Sequence, residues 1–276
     1  MELEARERWR RAAAGWEARA DWFHEQTLPA AAWLIEAVDP QPGQTILDLA
    51  AGIGDTGFLA AELLEPGGTL ITADFSPEML SAAQRRAQRH GVTNVRFRQM
   101  DANRPLDQPA ASLDGVLCRW GYMLLNDGED ALRETRRILK PGAAVALAAW
   151  TAADENLWSA AAGRILQARG LMEPDPPGPG QFAWARDGEV AEHMENAGFV
   201  EPRVERVDMP FRFADVDEWW THVTQTSVRV GLVDEQLDYA TRSDVLADLE
   251  RAAEPFEQAD GTLVIPAATW VAAATA

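Results

Sequence analysis

The stretch Ile46-Leu47-Asp48-Leu49-Ala50-Ala51-Gly52-Ile53-Gly54-Asp55-Thr56-Gly57 decides the fold. An apolar run, Thr45–Leu49, breaks into small residues, and Gly52–Gly57 spells G-x-G-x-x-G before a helical pattern resumes over Gly57–Leu64. A strand, a tight glycine turn and a helix in that order carry backbone N–H groups up to a ligand that no Cβ holds off. Asp74 follows at the end of the next apolar run, Thr69–Ala73, where a carboxylate can accept both hydroxyls of a ribose. Together these features specify an adenosine-containing cofactor, and on their own they fit a dinucleotide as well as any other adenosyl group.

Outward from that loop, strands and helices alternate at the spacing of parallel βαβ units. A helix is expected over Pro77–His90, then strands at Val95–Gln99 and Gly115–Cys118, a helix over Glu129–Leu139 and a strand at Ala143–Ala149. Upstream, Trp9, Ala12, Ala13, Trp16, Ala20 and Phe23 recur at helical spacing. Pro29 opens a second helix, Ala30–Val38, which Pro40-Gln41-Pro42-Gly43 ends. Downstream come a helix over Asn156–Gly170, a Pro/Gly-rich loop at Glu173–Gly180, a helix over Gly188–Ala197 and a strand at Val200–Val207. A largely helical insert, Ala214–Phe256, and a last strand, Thr262–Ala274, complete the chain. The expected organisation is an N-terminal helical lid over 1–40, a cofactor-binding core over 41–210, an insert over 211–260 contributing to an acceptor pocket, and a strand over 261–276 returning to the core.

Three features separate the possible cofactors. Asp48 ends the first strand just before the glycines, where a carboxylate disfavours a pyrophosphate and suits the cationic amine of a methionine moiety. Asp101 stands two residues past the third strand, placed to accept from an adenine amino group. Ile138-Leu139-Lys140-Pro141-Gly142-Ala143 turns a helix into a strand. At these residues the chain resembles the class I S-adenosylmethionine-dependent methyltransferases, and most nearly the ubiquinone/menaquinone-biosynthesis C-methyltransferase branch (methyltransferase type 11). The resemblance is carried by ILDLAAGIGDTG (Ile46–Gly57), ADFSPEML (Ala73–Leu80), RQMDANRPL (Arg98–Leu106), LDGVLCRWGYMLLND (Leu113–Asp127) and LRETRRILKPG (Leu132–Gly142), and it covers about residues 30–150. Ala50 stands where the first loop glycine is usual, and Ala143 replaces the second glycine after LKP.

The resemblance implies an α/β, Rossmann-like fold: a seven-stranded, mostly parallel sheet with helices on both faces and an antiparallel last strand. It implies S-adenosyl-L-methionine as cofactor. Asp48, Ala50, Gly52 and Gly54 would run along its methionine portion, and Asp74 would hold its ribose. Phe75 or Met79 would pack on adenine, Asp101 and the Ala102 amide would read the adenine edge, and Arg119 would bring its carbonyl near the amine.

Composition narrows the acceptor. A net charge of −19 disfavours nucleic acid, whose binding draws on a basic face, and Arg85, Arg86 and Arg89 are expected on a solvated helix face. The one cysteine, Cys118, allows no internal disulfide, and the four histidines have no metal-ligand spacing. No apolar run is long enough to span a bilayer, so a cytoplasmic location is expected. In-line transfer of an activated methyl needs alignment and exclusion of water more than a nucleophilic triad. If a hydroxyl or acidic carbon requires a base, the candidates are His24, Tyr122 and His222, with Trp120 beside Tyr122 just past the fourth strand. His90 reads as a helix-end cap and His193 as a solvated residue beside Glu189 and Glu192. Eleven tryptophans against two tyrosines, concentrated outside the central βαβ units, point to a small apolar acceptor such as a quinone-like compound or another secondary metabolite, methylated on carbon or oxygen. The rival readings are an NAD(P)-dependent oxidoreductase and a methyltransferase fold kept as a non-catalytic binding module.

Overall fold

A computed structural model describes residues 2–174 and 178–276, with only the backbone described for 2–6 and 8. Seven strands, β1 (Thr45–Leu49), β2 (Thr69–Asp74), β3 (Val95–Gln99), β4 (Leu113–Arg119), β5 (Leu139–Trp150), β6 (Val200–Phe213) and β7 (Leu263–Thr275), form one sheet in the order β3-β2-β1-β4-β5-β7-β6. β1 pairs in parallel with β2 and with β4, so the strand order reverses there and the loops leaving β1 and β4 open on a common crevice. The runs read as strands are near-continuously apolar because both faces are covered: Ile46, Leu47, Leu49, Leu70, Ile71 and Ala73 are all buried. β7 runs antiparallel to β5, with Ala144 opposite Thr275 and Trp150 opposite Thr269. The chain has the seven-stranded Rossmann-like fold that the motifs imply.

The described helices are α1 (Glu2–Ala18), α2 (Ala20–Val38), α3 (Asp55–Leu63), α4 (Pro77–His90), α5 (Gly128–Ile138), α6 (Leu157–Ala168), α7 (Glu189–Asn196), α8 (Val216–Thr226), α9 (Val228–Asp234) and α10 (Tyr239–Ala253). Local chemistry explains α4 completely. Ser76 Oγ accepts from the Met79 amide, Pro77 takes the first turn where its missing N–H costs nothing, and Gly91 closes the helix in the left-handed region at φ 70°.

Elsewhere the structure departs from the sequence reading. Pro29 does not open α2; it lies inside a helix that begins at Ala20. Buried Phe23, Thr27, Ala30, Ala31 and Leu34 line one side of that helix, and their packing holds it through a residue that removes one backbone bond. β6 runs on to Phe213, beyond the expected end at Val207, because Met209, Phe211 and Phe213 alternate inward at strand period. The Glu173–Gly180 loop falls partly outside the described residues.

The described residues of Met1–Gln26, Ala152–Pro177 and Asp208–Ala268 form one compact unit, and Thr27–Thr151, Gly178–Val207 and Thr269–Ala276 form another. The division runs inside α2, not after it at residue 40. Its C-terminal half belongs to the sheet unit, where Val38 fills the space beside Gly115 of β4: a Cβ on that glycine would lie 2.5 Å from Val38 Cγ1. In the other unit α1 shares a core with the insert helices, and a Cβ on Gly15 would lie 2.0 Å from the Gln225 carbonyl oxygen. Among the described residues no helix is long and apolar enough to cross a membrane.

Candidate functional site

The loop leaving β1 is held open by backbone geometry. Ala50 and Gly52 take positive φ, 53° and 55°, so the chain turns sharply just past the strand. For alanine this conformation costs about 1–2 kcal/mol. Ala50 has room because its neighbour is small: a Cβ on Gly121 would lie 2.7 Å from Ala50 Cβ. The glycine missing from the first loop is matched by one in the loop after β4. At the far end, Gly57 lets α3 approach the strand, since a Cβ there would sit 2.6 Å from Asp48 Oδ2.

Two carboxylates define the electrostatics. Asp48 is buried and accepts from the Gly57 amide at 3.0 Å. Burial pushes its pKa up to about 7, against the pull of the Arg119 guanidinium and the Gly57 hydrogen bond, with Asp55 and Asp74 adding to the rise. Asp74 is also buried, accepting from Gly52 N at 2.8 Å and from Ser76 N at 2.9 Å. Burial raises it to about 6 against the hydrogen bonds from Ser76, Gly52 and Phe75. The Asp74 carboxylate thus ties the glycine loop to the start of α4.

Beneath the loop lies an ionic network that sequence reading missed. Asp55, in the first turn of α3, accepts from Arg119 Nη2 at 2.6 Å and faces Arg86 Nη2 at 3.5 Å. Arg119 also donates to Thr27 Oγ1 at 2.6 Å and lies 4.6 Å from the Trp120 ring, while Arg86 donates to the Ile53 carbonyl at 3.3 Å. Arg86 is 3% exposed, so the solvated face expected for it is wrong. A signal was present, because Met79, Ala82, Ala83, Arg86 and Ala87 share the buried stripe of α4.

Of the adenine-side residues, Met79 is buried and Phe75 half-buried, its carbonyl accepting from Gln99 Nε2 at 3.0 Å. Asp101 is half-buried and turned onto its own loop, accepting from Asn103 N at 3.0 Å and facing Arg104 at 3.5 Å. Ala102 lines a cavity of about 60 Å³ with Asn103, Asn126, Asp127 and Glu134.

The aromatic residues after β4 are packing residues in this structure. Trp120 stacks on Trp150 with centroids 4.1 Å apart, and its Nε1 donates to Thr269 Oγ1 at 2.9 Å. Tyr122 is buried, its hydroxyl shares a 2.6 Å hydrogen bond with Thr135 Oγ1, and burial raises the phenol well above its ordinary range. His193 is no free surface residue, since it lies 2.9 Å from Glu129 and stacks on Trp184 at 4.4 Å. His24 is half-buried on α2, and His222 is fully buried on α8. No cluster of metal-ligating side chains occurs among the described residues.

Residues 30–161 match the ubiE/COQ5 methyltransferase family. The chain is 27% identical to the nocamycin O-methyltransferase of Saccharothrix syringae over 80% of its own length and 83% of that protein's. It is 39% identical to the demethylmenaquinone methyltransferase of Thermus thermophilus, over 40% of this chain and half the length of that relative. Its fold matches that of the YcgJ protein of Bacillus subtilis with a TM-score of 0.58 at 19% identity, covering 89% of this chain and 97% of that one. The buried carboxylates at the ends of β1 and β2 suit a cationic adenosyl cofactor. The chain is a class I S-adenosylmethionine-dependent methyltransferase that resembles the ubiE/COQ5 family through its cofactor-binding half.

Proposed function

We propose that the chain transfers the methyl group of S-adenosylmethionine to a small, apolar acceptor, at a hydroxyl or an acidic carbon. The observation that carries the reading is the pair of buried carboxylates, Asp48 and Asp74, flanking an open glycine turn. When bound, the cofactor supplies a methyl on a sulfonium, already activated for in-line displacement. Asp48 offers negative charge to the methionine amine, with Ala50, Gly52 and Gly54 along that portion and the Arg119 carbonyl beside it. Asp74 accepts from the ribose hydroxyls, and Phe75 and Met79 give the adenine an apolar wall. Asp101 and the Ala102 amide read the adenine edge once Asp101 exchanges its Asn103 contact for the exocyclic amine. The menaquinone-type match covers only the cofactor half, whereas the relative matched over most of the chain is an O-methyltransferase. We therefore favour oxygen as the methylated atom, on a small secondary metabolite in the cytoplasm.

Incubation with methyl-tritiated S-adenosylmethionine and a panel of uncharged phenols and enols is the test. Label in an organic-extractable product is the expected result. Tight cofactor binding with no transfer to any of them would favour the binding-module reading instead.

The carboxylate pKa values add a pH prediction. Both carboxyls are raised in the free protein, so they hold protons between about pH 4 and 7 that an unfolded chain has lost. In that window the free protein loses stability as pH rises. A cationic ligand favours the ionised forms, so binding S-adenosylmethionine releases protons. Affinity is expected to rise several-fold from pH 5.5 to 7.5. Calorimetry at pH 6.5 in buffers of different ionisation enthalpy should show net release of up to about one proton. A flat profile with no release would remove both carboxylates from the cofactor's reach.

A further inference from the structure

His222 is fully buried on α8, and neither Nδ1 nor Nε2 has a hydrogen-bond partner among the described residues. Rings from three elements surround it within the same unit. Trp22 of α2 lies at 4.4 Å between centroids, Phe213 of β6 at 5.7 Å, Trp158 of α6 at 5.8 Å, and Phe23 of α2 at 6.5 Å and nearly parallel. The charge that acts on it is Arg19, which pairs with Glu218 at 3.0 Å and sits 5.7 Å from the Trp22 ring. Burial first, and then Arg19, push the imidazole down to about 3, so it is neutral at physiological pH with one donor and one acceptor nitrogen.

This is not the ordinary polar economy of a core. The two indoles beside the imidazole are both satisfied: Trp22 Nε1 donates to the Arg212 carbonyl at 3.0 Å and Trp158 Nε1 to Asn156 Oδ1 at 3.3 Å. Trp219 Nε1 donates to the Trp158 carbonyl at 2.6 Å. A further buried nitrogen without a partner, Trp16 Nε1, belongs to the same cluster, its ring edge-on to Phe23 at 4.9 Å. Native proteins rarely leave such groups unmet, and where they do a ligand or water commonly completes them. Of the four rings around the imidazole, Trp22 alone is half-buried and lies on the solvent side of the cluster.

We propose that His222 is the polar anchor of a small-molecule site inside its own unit, with Trp22, Phe23, Trp158 and Phe213 seating a flat, uncharged ring system whose hydroxyl hydrogen-bonds to the imidazole. The inference stands apart from the cofactor reading: the ligand class is a neutral, fused-ring phenol or enol, and His222 selects for its hydroxyl. The role is positioning, and no proton-transfer step is assigned to it.

The probe is 1-naphthol, with naphthalene as the analogue lacking the hydroxyl. In protein carrying 15N-labelled histidine, 1-naphthol should shift the two nitrogens of one imidazole, and naphthalene should not. Wild-type protein should bind 1-naphthol at least about tenfold more tightly than naphthalene, because a site built for a hydroxyl leaves its polar group unmet without one. In His222→Phe and His222→Leu that ratio should fall below about threefold, with S-adenosylhomocysteine binding by calorimetry unchanged. His222→Phe should also melt about 2–4 °C higher without ligand, since two unmet polar atoms are gone. Equal binding of the two probes by wild type, or discrimination that survives in a folded variant, would overturn the assignment. Failure of wild type to bind S-adenosylhomocysteine would instead strike the cofactor reading, which keeps the two outcomes apart.

Discussion

Asp55→Ala is expected to destabilise the protein by about 3–5 kcal/mol, because it removes the carboxylate that two buried guanidiniums share. Arg119 keeps Thr27 Oγ1, the Trp120 ring and the attraction of buried Asp48, and Arg86 keeps the Ile53 carbonyl. Exposed pairs such as Arg133–Glu129 contribute about 0.2–1 kcal/mol, and what separates the two cases is desolvation of the ions left behind. Urea unfolding followed by circular dichroism measures the difference, and Asp55→Asn, which keeps the shape and loses the charge, should lie between. A loss below about 1 kcal/mol would mean that water reaches this network and that it is not a buried one.

The second large effect is on binding. Asp74→Ala should weaken S-adenosylmethionine binding by about 10- to 100-fold, the equivalent of a hydrogen bond or two to a charged group. The variant should remain folded. Asp74 is raised to about 6 by burial, so deleting it relieves the cost of an ionised carboxylate at neutral pH while leaving the Gly52 and Ser76 amides without their acceptor. These two changes oppose each other. Calorimetry for affinity and a thermal melt for integrity separate binding from folding. Unchanged affinity in a folded variant would show that the end of β2 does not contact the ribose.

What could be read in the sequence was what is contiguous along it. Asp48, Gly52, Gly54 and Asp74 belong to two strand ends and the loop between them, and β3 and α4 were legible to the residue because apolar period and caps are local. Arg119 pairing with Asp55 spans 64 residues, and Arg86 reaches the Ile53 carbonyl across 33. No local pattern encodes such contacts, although the place of Arg86 on the apolar stripe of α4 hinted at one. Pro29 misled for a related reason: proline is a local stop signal, and the packing of Phe23, Thr27, Ala31 and Leu34 along one side of α2 overrides it. Tyr122 is a candidate base by its place after the fourth strand, yet its hydroxyl is committed to Thr135, a partner that only the folded chain reveals. The aromatic excess was visible as composition, but its gathering around His222 draws on α2, α6, β6 and α8 and is a property of the tertiary fold.

The central claim is that the glycine loop between Asp48 and Asp74 takes S-adenosylmethionine and not a dinucleotide, although Gly52–Gly57 spells a dinucleotide fingerprint. Titration calorimetry of the wild-type protein against S-adenosylmethionine, S-adenosylhomocysteine, NADH and NADPH tests it most directly. The account predicts one site for each adenosyl–methionine ligand with a micromolar dissociation constant, on the order of −8 kcal/mol, and binding of either nicotinamide cofactor at least about 100-fold weaker. Tighter binding of NADH or NADPH than of S-adenosylmethionine would contradict it.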